Sequence, residues 1–137
     1  MDLLERARCL MACPLFENLA PAMLVRLAER SHADSLARGE RRSTADAVWV
    51  VGRGVFAAGD AEVGAGHAIG LIRVVRAQTP AIEIVAREPG ELIALAVDDV
   101  RDVLEEDPVA LAAIADRLAA LLLPSGGSAA GILRDAP

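Results

Sequence analysis

The sequence predicts an α+β chain, mainly β: an antiparallel β-roll or jelly-roll barrel flanked by N-terminal and C-terminal helices. Two observations carry this. Between Ala47 and Ala96, short runs of β-forming residues are each closed by a glycine or proline, a pattern that favours an antiparallel roll over a parallel sheet. On either side of that stretch the apolar residues recur at helical spacing instead.

Taken in order, Asp2 is placed to cap a first helix whose Leu3, Leu4, Ala7, Leu10 and Met11 form one stripe, and Cys13-Pro14 ends it. Pro21 suits the first position of a second helix with Leu24, Leu27 and Ala28 on its inner face, running out near Ser31-His32. Ala33 to Arg38 reads as a weak strand turned by Gly39-Glu40, and Arg41 to Asp46 as a short polar link. Ala47 to Val51 and Val55-Phe56, separated by Gly52-Arg53-Gly54, read as a hairpin with Trp49 and Phe56 buried on its two arms. The glycine-rich turn Gly64-Ala65-Gly66-His67 leads into Ala68 to Ile72. Ala81 to Val85 alternates with period two, and Arg87-Glu88-Pro89-Gly90 turns the chain into Glu91 to Leu95. Asp98 is read as the cap of a helix over Asp99 to Glu106, and Asp107-Pro108 as cap and first position of the last helix. There Leu111, Ile114, Ala115, Leu118, Leu121 and Leu122 make a continuous apolar stripe, which must pack on the roll or on a partner.

The organisation is one domain over residues 1–123 with a flexible tail over 124–137, rich in glycine and serine at its start. A single domain of 137 residues buries roughly two-thirds of the surface its unfolded chain exposes. The formal net charge of −6 argues against nucleic acid as a partner, and the scarcity of aromatics argues against a base-stacking platform. All 14 basic residues are arginine, as codon bias in a GC-rich genome would give. Charges at Asp2, Glu5, Arg6 and Arg8 interrupt the region where a signal peptide needs an apolar run, and Leu118 to Leu123 is too short to span a bilayer. Cytoplasmic residence without membrane insertion is the expectation.

Reactive chemistry is sparse. Cys9 and Cys13 lie four apart on a helix face with neither histidine nearby in sequence, which reads as two small buried hydrophobes. Gly64-x-Gly66-x-x-x-Gly70 misses the dinucleotide fingerprint by one position and lacks its βαβ setting. His67 has no serine, cysteine or paired carboxylate at motif spacing. The dense acids from Asp98 to Asp107 fit a solvated helix face plus two caps better than a calcium loop. No catalytic residue, metal site or cofactor is expected.

Three segments, in this order, resemble the cyclic nucleotide-binding domain family. Pro14-Leu15-Phe16-x-x-Leu19-x-Pro21 followed by Leu24 and Leu27-Ala28 is similar to the family's entry segment. Ala47-Val48-Trp49-Val50-Val51-x-x-Gly54 resembles its central hairpin. Glu91 to Leu95 followed by Asp98-Asp99-Val100 resembles its last strand and first C-terminal helix. The resemblance runs from Leu10 to Leu122. It implies a regulatory β-roll in which a glycine and the following N–H groups cradle a cyclic phosphate. A glutamate next to that glycine binds the ribose hydroxyl, and an arginine ten residues on neutralises the phosphate.

The positions corresponding to that phosphate cassette are Ile69, Gly70, Leu71 and Ile72, then Pro80 and Ala81. The glycine is present, but Leu71 stands where the family has glutamate and Pro80 where it has arginine. The link from Glu40 to Ala47 is also shorter than the family's first hairpin. Leaving a buried phosphate without its cation costs roughly 3–5 kcal/mol. Losing the charge-assisted bond to the ribose costs about 1.5–3 kcal/mol more. A micromolar ligand, near −8 kcal/mol, would become about millimolar or weaker. Arg73 and Arg76 lie inside the cassette and are the only replacement cations there; as solvated charges on a surface turn they would not serve. The resemblance therefore implies a non-catalytic regulatory module that does not take cyclic nucleotides in the usual way. Its partners would be a second copy, through the C-terminal helix, or a larger protein. The alternative is a small-ligand sensor, for a cyclic nucleotide or another anion, built on altered residues. The polarity of the space beside Gly70 separates the two.

Overall fold

The computed structural model describes residues 1–76 and 78–121. The tail over 124–137 and the side chains of Leu121, Leu122 and Leu123 lie outside the described residues.

Helix α1, Leu3–Met11, starts on the Asp2 carboxylate, which accepts the Glu5 N–H at 2.8 Å. Its buried line is narrower than the sequence stripe: Ala7 and Leu10 are buried, while Leu3, Leu4 and Met11 stay 40%, 59% and 59% exposed. A 3₁₀ turn, Pro14–Phe16, leads to α2, Pro21–Arg30, with proline in the first position and Met23, Leu24, Leu27 and Ala28 buried.

Eight strands follow: β1 His32–Leu36, β2 Arg41–Ser43, β3 Val48–Arg53, β4 Phe56–Ala58, β5 Ala61–Val63, β6 Ala68–Ile69, β7 Glu83–Ala86 and β8 Gly90–Leu95. A one-turn helix α3, Ile72–Val75, lies between β6 and β7. The chain closes with α4, Val97–Glu105, and α5, Pro108–Leu121. Asp107 caps α5 as expected, its carboxylate accepting the Ala110 N–H at 3.1 Å. Asp98 does not cap α4; it sits in the first turn, and Ala96 holds the cap position without a side-chain bond.

The strands form two antiparallel four-stranded sheets, ordered β1-β8-β3-β6 and β2-β7-β4-β5. They make a roll and not a closed barrel. The sheet containing β3 is apolar on both faces, which explains the unbroken runs Val48 to Val51 and Leu92 to Leu95. Val48, Val50, Ile93 and Leu95 pack against the helices, together with Leu10, Phe16, Leu27, Leu104 and Ile114. Trp49, Val51 and Leu92 face the other way and meet Phe56 and Ile84 between the sheets.

The expected hairpin over Ala47 to Phe56 does not form. β3 pairs with β8 and β6, whereas β4 pairs with β5 and β7, so the chain leaves one sheet for the other at this point. The register shift between Val51 and Arg53 marks the bend, and Gly54, at φ +95°, completes it. A Cβ on Gly54 would lie 2.8 Å from the Gly90 Cα, so the corner needs glycine for space as well as for conformation. The true hairpin is β4–β5, turned by Gly59-Asp60 with Gly59 at φ +60°. Trp49 and Phe56 are nonetheless buried, at 5% and 0% exposure.

Candidate functional site

The cassette segment begins where β6 ends. Ile69 is fully buried between the sheets. Gly70 then turns the chain at φ +89°, with the Cβ and Cγ2 of Thr44 each 3.0 Å from where its own Cβ would stand. Leu71 and Ile72 leave the roll and pack in the helical core, at 0% and 3% exposure. The Ala68 to Ile72 run is thus a two-residue strand, a turn and the start of α3, not one strand. Leu71 in consequence is committed to packing.

Thr44 closes the segment from the other side. Its N–H donates to the Ile82 carbonyl at 3.0 Å and its hydroxyl oxygen accepts the Ile82 N–H at 2.7 Å. Thr44 is 1% exposed, and this clasp gives its buried hydroxyl oxygen a donor. Pro80 and Ala81, just before it, are exposed, and Arg76 is exposed at the end of α3. Arg73 is half-buried: its Nη1 donates to the Thr79 carbonyl at 2.7 Å, and its Nε is buried without a partner. Thr79 in turn donates its hydroxyl to the Arg76 carbonyl at 2.8 Å. The structure brings Gly70, Thr44 and the Ala81-Ile82 backbone together but directs neither Arg73 nor Arg76 into the space beside Ile69.

That space is filled. Trp49 occupies it with Val51, Phe56, Ile69, Ile84 and Leu92, and the indole Nε1 donates to the Ser43 carbonyl at 2.9 Å. The wall is apolar, and the one polar group of the indole is satisfied.

Two other cavities lie outside the roll. One, of about 380 Å³, has Ala45, Asp46, Arg73 and the start of α4 around it. Arg101 of α4 also lines it, donating to the Val74 carbonyl at 3.3 Å through Nη2 and to Asp98 at 3.2 Å through Nη1. The other, of about 300 Å³, opens beside Cys9, Arg53 and Glu91. Burial, with the negative charges of Glu91 and Glu5, pushes the Cys9 thiol above its ordinary value, which makes it a poor nucleophile. His67 serves its own turn, with Nδ1 2.9 Å from the Gly64 carbonyl. Among the described residues no cluster of three or more histidine, cysteine or carboxylate groups is arranged to hold a metal ion, and no helix is long and apolar enough to cross a membrane.

Thr44, Asp46 and Arg101 were not singled out by sequence. The available signal was the polar Ser43-Thr44-Ala45-Asp46 turn; nothing local pairs it with Gly70, Ile82 or α4.

No family model and no curated protein matches the sequence. Solved structures do match. The sensor domain of the transcriptional regulator DNR from Pseudomonas aeruginosa superposes with TM-score 0.74 at 18% identity, covering 88% of this chain and 92% of that one. A putative cyclic nucleotide binding protein from Ruegeria pomeroyi gives 0.69 at 16% identity, over 85% of this chain and 57% of that one. The regulatory domain of Toxoplasma gondii PKA, solved with cAMP, gives 0.62 at 14% identity, over 77% and 49%. The fold is that of the cyclic nucleotide-binding domain, as the sequence resemblance implied.

Proposed function

We propose that this chain is a non-catalytic regulatory module that uses a cyclic nucleotide-binding fold without binding cyclic nucleotides in the usual way. The observation that supports it most strongly is the filled space between the sheets, where Trp49, Ile69 and Ile84 stand and where, among the described residues, no charged residue is buried. Leu71, packed among the helices, has no group to offer a ribose hydroxyl, and Pro80 has no charge to offer a phosphate. A nucleotide would have to displace the indole and then sit against hydrocarbon, losing the cation and the charge-assisted bond together. Isothermal titration calorimetry with cyclic AMP and cyclic GMP tests this: no saturable heat is expected below about 1 mM, and a micromolar dissociation constant would overturn it.

A module with no ligand in its roll acts through its surface. The outward side of α5 supports a contact with a second copy: Val109 is 80% exposed near its start, and Ala112, Asp116, Ala119 and Ala120 are exposed further along the helix. The inward side, Ala110, Ile114 and Leu118, is already used within the monomer. Sedimentation equilibrium at about 100 μM should show a dimer, since specific dimers dissociate well below that concentration. A monomer there would leave a larger protein as the partner.

A further inference from the structure

The cavity of about 380 Å³ beside α3 and α4 carries two opposite charges that do not pair. Arg73 and Asp46 both line it, yet among the described residues neither has an ion-pair partner within 4.0 Å. Arg73 donates to the Thr79 carbonyl, a neutral group, so that bond leaves its charge uncompensated. Among the described residues its Nη2 has no hydrogen-bond partner. Asp46 sits in a turn closed by its own N–H on the Ser43 carbonyl at 3.1 Å, and among the described residues its carboxylate has no hydrogen-bond partner. The remaining charges on the wall, Arg101 and Asp98, neutralise each other at 3.2 Å. Between the charges the wall is Ala45, Ala96 and Val97.

This charge set selects its ligand. A simple anion drawn to Arg73 would also meet Asp46, and a simple cation drawn to Asp46 would also meet Arg73. A molecule carrying both charges can satisfy the two unpaired groups of the one cavity at once. The volume is at the small end for ligand pockets, about 300–1,000 Å³. We propose that this cavity binds a small zwitterion, an α-amino acid with a short aliphatic side chain, its carboxylate on Arg73 and its ammonium on Asp46. The alanines and Val97 would cover the aliphatic part. Because the cavity is open to solvent and Asp46 is exposed, the affinity is on the order of millimolar. The inference goes beyond the regulatory reading and does not depend on whether a nucleotide enters the roll.

The test is an amide NMR titration with L-alanine, following Ala45, Asp46, Arg73 and Val97, with acetate and methylammonium as half-ligands. Saturable shifts with a midpoint of about 1 mM are expected for alanine alone. Arg73→Gln and Asp46→Asn should each weaken binding about tenfold. Should Arg73→Gln disturb the fold by losing its bond to Thr79, Asp46→Asn decides, because the Asp46 side chain has no bonding partner among the described residues. Absence of saturable shifts up to about 30 mM, acetate binding as tightly as alanine, or undiminished affinity in Asp46→Asn would overturn the proposal. A nucleotide between the sheets would instead move the signals of Trp49 and Ile84, so the two readings fail separately.

Discussion

Replacing Trp49 by alanine probes the filled roll directly. The indole is 5% exposed and packed in the cluster between the sheets, in contact range of side chains from both. A tryptophan buries roughly 150–250 Å², and large-to-small replacements of this kind cost about 3–5 kcal/mol. The lost hydrogen bond adds little, because the Ser43 carbonyl keeps a second donor, the Asp46 N–H at 3.1 Å. Trp49→Phe keeps most of the packing and should cost about 1–2 kcal/mol. Urea unfolding followed by far-UV circular dichroism measures both; fluorescence does not serve for either variant, since this is the only tryptophan and there is no tyrosine. A loss below about 1 kcal/mol for Trp49→Ala would refute the reasoning, for it would mean that the indole does not fill the space.

Gly70→Ala should destabilise by roughly 1–3 kcal/mol, from the positive φ and from the Thr44 side chain 3.0 Å from the added Cβ; unfolding midpoints check it, and an unchanged midpoint would contradict the geometry. Glu106 is held below the ordinary carboxylate value, first by its hydrogen bond from Arg26 and then by the charges of Arg26 and Arg30. A lowered folded-state pKa adds stability that is present above the unfolded value and is lost as pH falls through the folded one. Arg26→Ala should therefore raise the Glu106 midpoint in a carboxyl NMR titration, and an unmoved midpoint would contradict the pairing.

The flanking helices were legible in sequence because local signals place them: the Asp2 and Asp107 caps, Pro21 and Pro108 in first positions, and apolar spacing along each. The roll was legible as a class of fold but not in its connections. A run of β-formers broken by Gly52-Arg53-Gly54 has the local signature of a hairpin. Only Gly90, 36 positions beyond Gly54 and in backbone contact with it, turns that run into a corner between sheets. The Gly59-Asp60 turn was a local signal of the right kind, but alanines on either side gave weak strands. In the cassette, sequence located Gly70 and the missing charges at Leu71 and Pro80. Which way each residue faces depends on α3, a single turn with no side-chain cap to announce it. Thr44 was invisible for the same reason as the corner: its partners are at Gly70 and Ile82.

Trp49 also reports the central claim. As the only tryptophan, standing between the sheets, it gives an emission spectrum that any molecule entering that space must change. Titrating the wild-type protein with cyclic AMP should leave the emission maximum and intensity unchanged up to about 1 mM, after correction for absorption by the nucleotide. A saturable change with a midpoint in the micromolar range would contradict the account, because it would show that the roll opens and admits the ligand.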